Sequence, residues 1–337
     1  MVCTLRQVYY SKDKTEEAFR LYVSRTKQQL ESELERLSLN VSELSLHPQI
    51  EYAILSQGKR LRPLLVVLSA ESVGGNREEV MPLALAFELM HTATLVHDDI
   101  IDQDELRRDK PAVHTKWSMN DAILTGDALI ALAVELASKY GEEILKTVAR
   151  SALELCDGER MDITSSLETT TEESYFKRIR EKSASLFRAS TYCGALAGGG
   201  SQSEIKALSA FGENFGVAYQ LKDDIIDLAH KGTDVFKEQS SGNITLPLIH
   251  CYTNSTPSQR KEIENRLQTL MKRNHNTDGT ELSRAILETI RRTGSIEHCE
   301  KKINEHLNRA VASISGLKNS EFKDYLIEMT EILRSQD

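Results

Sequence analysis

Positive charge is in short supply in this chain. Its 42 lysines and arginines are outnumbered by 51 aspartates and glutamates, for a formal charge of −9. That balance argues against a nucleic-acid binder, which needs a basic face to neutralise phosphates. An anionic ligand must instead be drawn in by local arginines or by a metal. Cysteine is scarce and unpatterned: Cys3, Cys156, Cys193, Cys251 and Cys299 are odd in number and lack metal-ligand spacing, which suits a reducing cytoplasm. No uninterrupted apolar stretch reaches the roughly 20 residues of a membrane span, and MVCTLRQVYYSKDK at the start has no apolar h-region, so the protein reads as soluble. No linker stands out anywhere.

What the chain does have is helical periodicity from end to end. Hydrophobic residues at 40% can build a substantial core, and charged residues at 28% are ordinary. We expect one all-α domain over 1–337, a large single-domain helical bundle around a central apolar cavity, with motifs in about 46–250 and unspecific helices over 257–335. An amphipathic helix is expected over about 13–37 and another from Gln49 to a stop at Gly58. The run from Asn120 to Ala137 is apolar almost all round, which suits a buried helix or a subunit interface. A helix follows from about Glu143 to Ser165, one opens at Thr171 with Ser174, and another starts at Ser203.

The chemistry is concentrated in two acid clusters. LALAFELMHTATLVHDDIIDQDELRR, from Leu85, begins as an apolar helix and then places Asp98 and Asp102 one turn apart with Asp99 beside them. YQLKDDIIDL, from Tyr219, repeats the arrangement with Asp223, Asp224 and Asp227. Carboxylates inside such runs need a metal, a basic partner or a water-filled cavity. A single cluster is more often a solvated face, but two after apolar runs are harder to dismiss. Hard oxygen ligands suit Mg²⁺, which keeps several waters and is completed by substrate phosphates. The expected ligand is a magnesium diphosphate.

These clusters resemble the two aspartate-rich motifs of the trans-isoprenyl diphosphate synthases. The resemblance extends to GKRLRP at Gly58–Pro63, His91 two turns before Asp98, the pair Arg107 and Arg108, Lys182 with Ser183, Gln220, and GNITLP at Gly242–Pro247. It implies Mg²⁺ on all six acids, an isopentenyl diphosphate site at Lys59, Arg62, His91 and Arg108, and an allylic site at Arg107, Lys182, Ser183 and Gln220. Adjacent arginines about 100° apart on a helix would serve the two different phosphates. Lys237 is the one match for a loop lysine of the family, in a loop shorter than usual. Asp98, Asp102, Arg107, Lys182 and Asp223 are the expected catalytic residues.

The implied reaction is the 1'-4 head-to-tail condensation of isopentenyl diphosphate with an allylic prenyl diphosphate, by a homodimer whose product is released through transient membrane contact. Chain length is read from the helix before Asp98. Where short-chain members carry a bulky aromatic, this chain has Ala93, flanked by Thr94 and one turn on by Met90, so a product of about C30 to C40 is expected, running down the helix from the acids. The alternatives are a short-chain farnesyl or geranylgeranyl diphosphate synthase, a class I terpene cyclase, which would need neither GKRLRP nor a second cluster, and a regulatory subunit, which would be expected to lose acids.

Overall fold

A computed structural model of the chain describes residues 2–230, 244–271 and 280–335. The described chain is all-α apart from one small hairpin. Helices α1 (Val2–Asn40), α2 (His47–Ile54), α3 (Leu61–Ser72) and α4 (Arg77–Ile101) lead to a two-stranded antiparallel hairpin, β1 (Leu106–Arg107) and β2 (Lys110–Pro111). There follow α5 (Val113–Lys116), α6 (Met119–Ser138), α7 (Glu142–Ile163), α8 (Glu172–Ile179), a π-helical turn (Arg180–Ala184), α9 (Ser185–Ala197) and α10 (Gln202–His230). The remaining helices are α11 (Leu246–Thr253), α12 (Pro257–Met271), α13 (Thr280–Arg292), α14 (Ser295–Ser313) and α15 (Glu321–Ser335).

Contacts divide the chain into two compact units. Unit 1 holds Met1–Ala152, Leu186–Gly212 and Ser313–Met329, and unit 2 holds Leu153–Ser185, Glu213–Ala312 and Thr330–Asp337. The core of unit 1 is built on α4. Asn76 caps its N-terminus by accepting from the Glu78 N–H at 2.9 Å, and Glu78 and Glu79 sit favourably in its first turn. The helix is long and apolar enough to span a membrane, but its residues are mostly buried within the protein. It is therefore a core helix. Its closest partner is α6, where Gly126 makes room for the His97 ring, which a Cβ there would meet at 2.1 Å. Gly194 of α9 meets Val66 of α3 in the same way, with the Val66 carbonyl 2.3 Å from a built Cβ.

Two boundaries differ from the sequence reading. The second helix ends at Ile54, not at Gly58, because Arg60 satisfies its end: Nη2 donates to the carbonyls of Ile54 at 3.0 Å and Ser56 at 2.8 Å. Arg107 and Arg108 diverge by a hairpin turn and not by helical rotation, since Arg107 is paired in β1 while Arg108 and Asp109 have φ of 54° and 62°. Two non-glycine residues in the left-handed region make a strained turn, of a kind that concentrates at functional sites.

Candidate functional site

The first acid cluster closes α4. Asp102 is the C-cap residue, its N–H bonded to the Asp98 carbonyl at 2.8 Å, so the two acids lie one turn apart as the spacing predicts. Asp98 is half-buried and Asp102 exposed. The expectation that Asp99 joins them as a metal ligand meets a different arrangement: Asp99 is 3% exposed, and its Oδ1 accepts from Arg107 Nε at 2.6 Å and from Arg107 Nη2. Burial raises the Asp99 pKa above its ordinary value, against the lowering effect of Arg107. Asp104 adds a longer contact to Arg107 Nη2 at 3.5 Å.

The basic loop before α3 converges on the same unit. Arg60, the middle cation of GKRLRP, is 4% exposed and structural: Nε pairs with Glu31 at 2.9 Å and Nη1 with Glu88. Its φ of 54° turns the chain into α3 and leaves Lys59 exposed and Arg62 half-buried. The Arg62 guanidinium lies 4.4 Å from the centre of the Phe187 ring, a cation–π contact that fixes its plane. Arg108 donates to the Gln57 carbonyl and lies over Gly58, where a Cβ would meet its Nη1 at 2.9 Å. The hairpin arginine and the loop are thereby one assembly. His91 stands among these cations, its pKa pushed well below the ordinary value by burial first and then by Arg62 and Arg108, so it is neutral. The structure thus sets His91 beside Arg62 and Arg108, while Lys59 is exposed on the same loop.

The second cluster, in unit 2, repeats the division of labour of the first. Asp223 and Asp227 are half-buried, while Asp224 is 7% exposed and held within the protein. Gln220 Nε2 donates to Asp224 Oδ1 at 2.9 Å, the Tyr175 hydroxyl donates to Oδ2, and Ser183 Oγ donates to Gln220 Oε1 at 2.6 Å. Burial raises the Asp224 carboxyl to about 6. Tyr175 is fixed by α8, whose start is locked by reciprocal hydrogen bonds between Thr171 and Ser174.

Lys182 lies in the π-helical turn, a local widening that often marks a functional position. Its Nζ pairs with Asp162 Oδ2 at 2.5 Å and Glu159 Oε2 at 2.9 Å, both on α7. Gly158 allows this approach, since a Cβ there would stand 2.3 Å from the Lys182 backbone nitrogen. Arg178, Tyr175 and Asp162 received no role from the sequence; the spacing of Tyr175, Arg178 and Lys182 along one helical stretch was the available signal. Lys237, with Gly242 and Asn243, lies outside the described residues. Among the described residues, no three His, Cys, Asp or Glu side chains stand together as a metal site by themselves.

The profile of the family described as Polyprenyl synthetase matches residues 44–286. The chain belongs to this family. A short chain isoprenyl diphosphate synthase of Methanothermobacter thermautotrophicus is 31% identical over 90% of this chain and 95% of its own length. The octaprenyl diphosphate synthase of Escherichia coli is 29% identical over 88% and 92%. Among solved structures, the polyprenyl synthase of Caulobacter crescentus complexed with calcium and isoprenyl diphosphate superposes with a TM-score of 0.83 at 28% identity, covering 93% of this chain and 97% of that one. The all-α fold expected from periodicity is thus the fold of isoprenyl diphosphate synthases, and the chain is a prenyltransferase, a prenyl diphosphate synthase. Its relatives make products of varied length, so membership by itself does not set the length made here.

Proposed function

We propose that this prenyl diphosphate synthase joins isopentenyl diphosphate to an allylic prenyl diphosphate, 1'-4 and head to tail, with Mg²⁺ as cofactor and an all-trans product of about C30 to C40. The observation that carries the reading is the repeated division within the two acid clusters. In each, the middle acid is buried and bonded inside the protein, Asp99 to Arg107 and Asp224 to Tyr175 and Gln220, while the flanking acids are more open.

The donors fit a hard divalent cation, because Asp98, Asp102, Asp223 and Asp227 offer only carboxylate oxygen. When bound, Mg²⁺ supplies Lewis acidity to a diphosphate leaving group. Asp99 aligns Arg107, and Asp224 keeps Gln220 and Ser183 in register with the cluster. Arg107 and Lys182 stabilise negative charge as the allylic carbon–oxygen bond breaks. Lys59, Arg62 and Arg108 hold isopentenyl diphosphate by fork and point charge, and neutral His91 adds a hydrogen bond without a further proton. Holding both substrates converts their encounter into a unimolecular step, and the proton lost afterwards leaves with the departing diphosphate.

The length assignment rests on Ala93, which is fully buried in α4 with Met90 beside it and Thr94 half-buried. The dimer assignment rests on α6, which leaves the large apolar side chains of Met119, Ile123, Leu124 and Val134 exposed. Single exposed apolar residues are ordinary, but four large ones on one helix fit a second copy. Incubating the purified protein with labelled isopentenyl diphosphate, Mg²⁺ and each allylic primer, then sizing the products, tests the whole reading. Products of about C30 to C40 are expected, and hydrolysis without condensation would defeat it.

A further inference from the structure

Arg178 is a buried arginine in unit 2, 3% exposed, and none of the roles assigned above uses it. It is not a solvated charge. Nη1 pairs with Asp162 Oδ1 at 2.8 Å and donates to Ser165 Oγ at 2.9 Å, Nη2 donates to the Ile244 carbonyl, and the guanidinium lies 5.2 Å from the centre of the Tyr175 ring. Burying a guanidinium is costly unless carboxylates and carbonyls surround it, and here they do.

The carboxylate that holds Arg178 is the one that holds Lys182. Asp162 gives Oδ1 to the arginine and Oδ2 to the lysine, while Glu159 adds a second contact to the lysine at 2.9 Å. Among these four side chains the charges cancel, two acids against two bases. Their side-chain exposures are unequal: 4% for Arg178, 8% for Asp162 and 9% for Glu159, against 24% for Lys182. Lys182 is the member that reaches solvent, so it alone can turn to an arriving anion. To do so it must leave two carboxylates, and Arg178 is the group that stays behind to neutralise one of them.

We propose that Arg178 is a positioning residue that sets how tightly Asp162 and Glu159 hold Lys182, and thereby the affinity of this chain for the diphosphate end of its allylic substrate. Without Arg178 two buried acids face one lysine, and a diphosphate must compete with both for it. With Arg178 in place, Asp162 remains paired after Lys182 has turned away. The inference rests on the assignment of Lys182 to the allylic diphosphate.

The test is calorimetric binding of inorganic pyrophosphate with Mg²⁺ to the full chain, alongside steady-state constants for both substrates. Arg178→Met should weaken pyrophosphate about tenfold and raise the allylic KM in step, leaving the isopentenyl diphosphate KM within about twofold, because one charged interaction is lost. Arg178→Lys should keep most of the affinity. Arg178→Met combined with Asp162→Asn removes one charge of each sign and should bring pyrophosphate affinity back toward the parent; a merely structural role predicts that the double variant is worse than either single one. An Arg178→Met protein with parent-like affinity, or a double variant with no recovery, overturns the proposal. Should Arg178→Met not fold, Asp162→Asn alone carries the converse test: it frees Lys182 from one acid and should tighten pyrophosphate, and weaker or unchanged binding overturns the idea. Lys182→Ala separates the two levels, since unchanged pyrophosphate affinity there would refute the site assignment itself, whereas weakened affinity there with no Arg178 effect would refute only this inference.

Discussion

Arg107 Nε donates to Asp99 Oδ1 at 2.6 Å, so the middle acid of the first cluster is held by an arginine of the hairpin that follows α4. Asp99 and Asp98 are neighbours in sequence with different surroundings, the one buried against Arg107 and the other half-buried. If Asp98 holds Mg²⁺ as proposed, Asp98→Asn should cost on the order of 10²-fold or more in turnover and shift the Mg²⁺ dependence to higher concentration. Asp99→Asn should leave the Mg²⁺ half-saturation near the parent value while raising the allylic KM. Magnesium titrations of the two variants decide it, and identical shifts would sink the distinction.

Asp224 makes stability depend on pH in a definite direction. Its folded pKa, about 6, lies above the ordinary 3.8 because it is buried. Between those values the folded state holds more protons than the unfolded one, so this group's contribution falls as pH rises from about 4 to 6 and the full cost of its buried charge is felt above that. Asp224→Asn should abolish this slope. Thermal midpoints of parent and variant across pH 4 to 7 measure it, and parallel profiles would show that Asp224 does not titrate there.

Gly158 is where α7 lets the Lys182 turn approach. The backbone nitrogen that a Cβ would strike at 2.3 Å has no flexible end to move, so Gly158→Ala forces the turn outward. A loss of about 1 to 3 kcal/mol is expected in denaturant unfolding, together with a weaker allylic substrate, because the displaced backbone carries Lys182. An unchanged denaturation midpoint would contradict the close approach.

Ala93 is 0% exposed, and a phenyl ring there fills space along α4. Ala93→Phe should shorten the product by several isoprene units while the first condensation persists, at a stability cost of about 1 to 3 kcal/mol for overpacking. The product ladder is the readout. An unchanged ladder in a folded variant would place the limit on length elsewhere.

The exposed apolar side chains on α6 give the assembly prediction. Ile123 and Val134 are 42% and 38% exposed, and charging both, as Ile123→Glu with Val134→Glu, should convert a dimer to monomer. Light scattering on the eluting species tests this. A parent protein that is already monomeric would remove the premise.

Local spacing determined much of this protein. Asp98 and Asp102 had to lie one turn apart once α4 was helical, Thr171 with Ser174 announced the start of α8, and the apolar run from Asn120 to Ala137 was bound to form a helix. Each of these depends on residues within a turn or two of one another, which a sequence displays directly. Tertiary structure decided how neighbouring residues divide their work. Nothing local separates Asp99 from Asp98 or Arg60 from Arg62. Asp99 is buried against Arg107 because the chain beyond α4 brings that arginine back to it, and Arg60 is buried because Glu31 and Glu88 surround it from helices distant in sequence. A buried charge takes its role from the partners that desolvation forces upon it, and those partners are chosen by packing between helices, not by spacing along one.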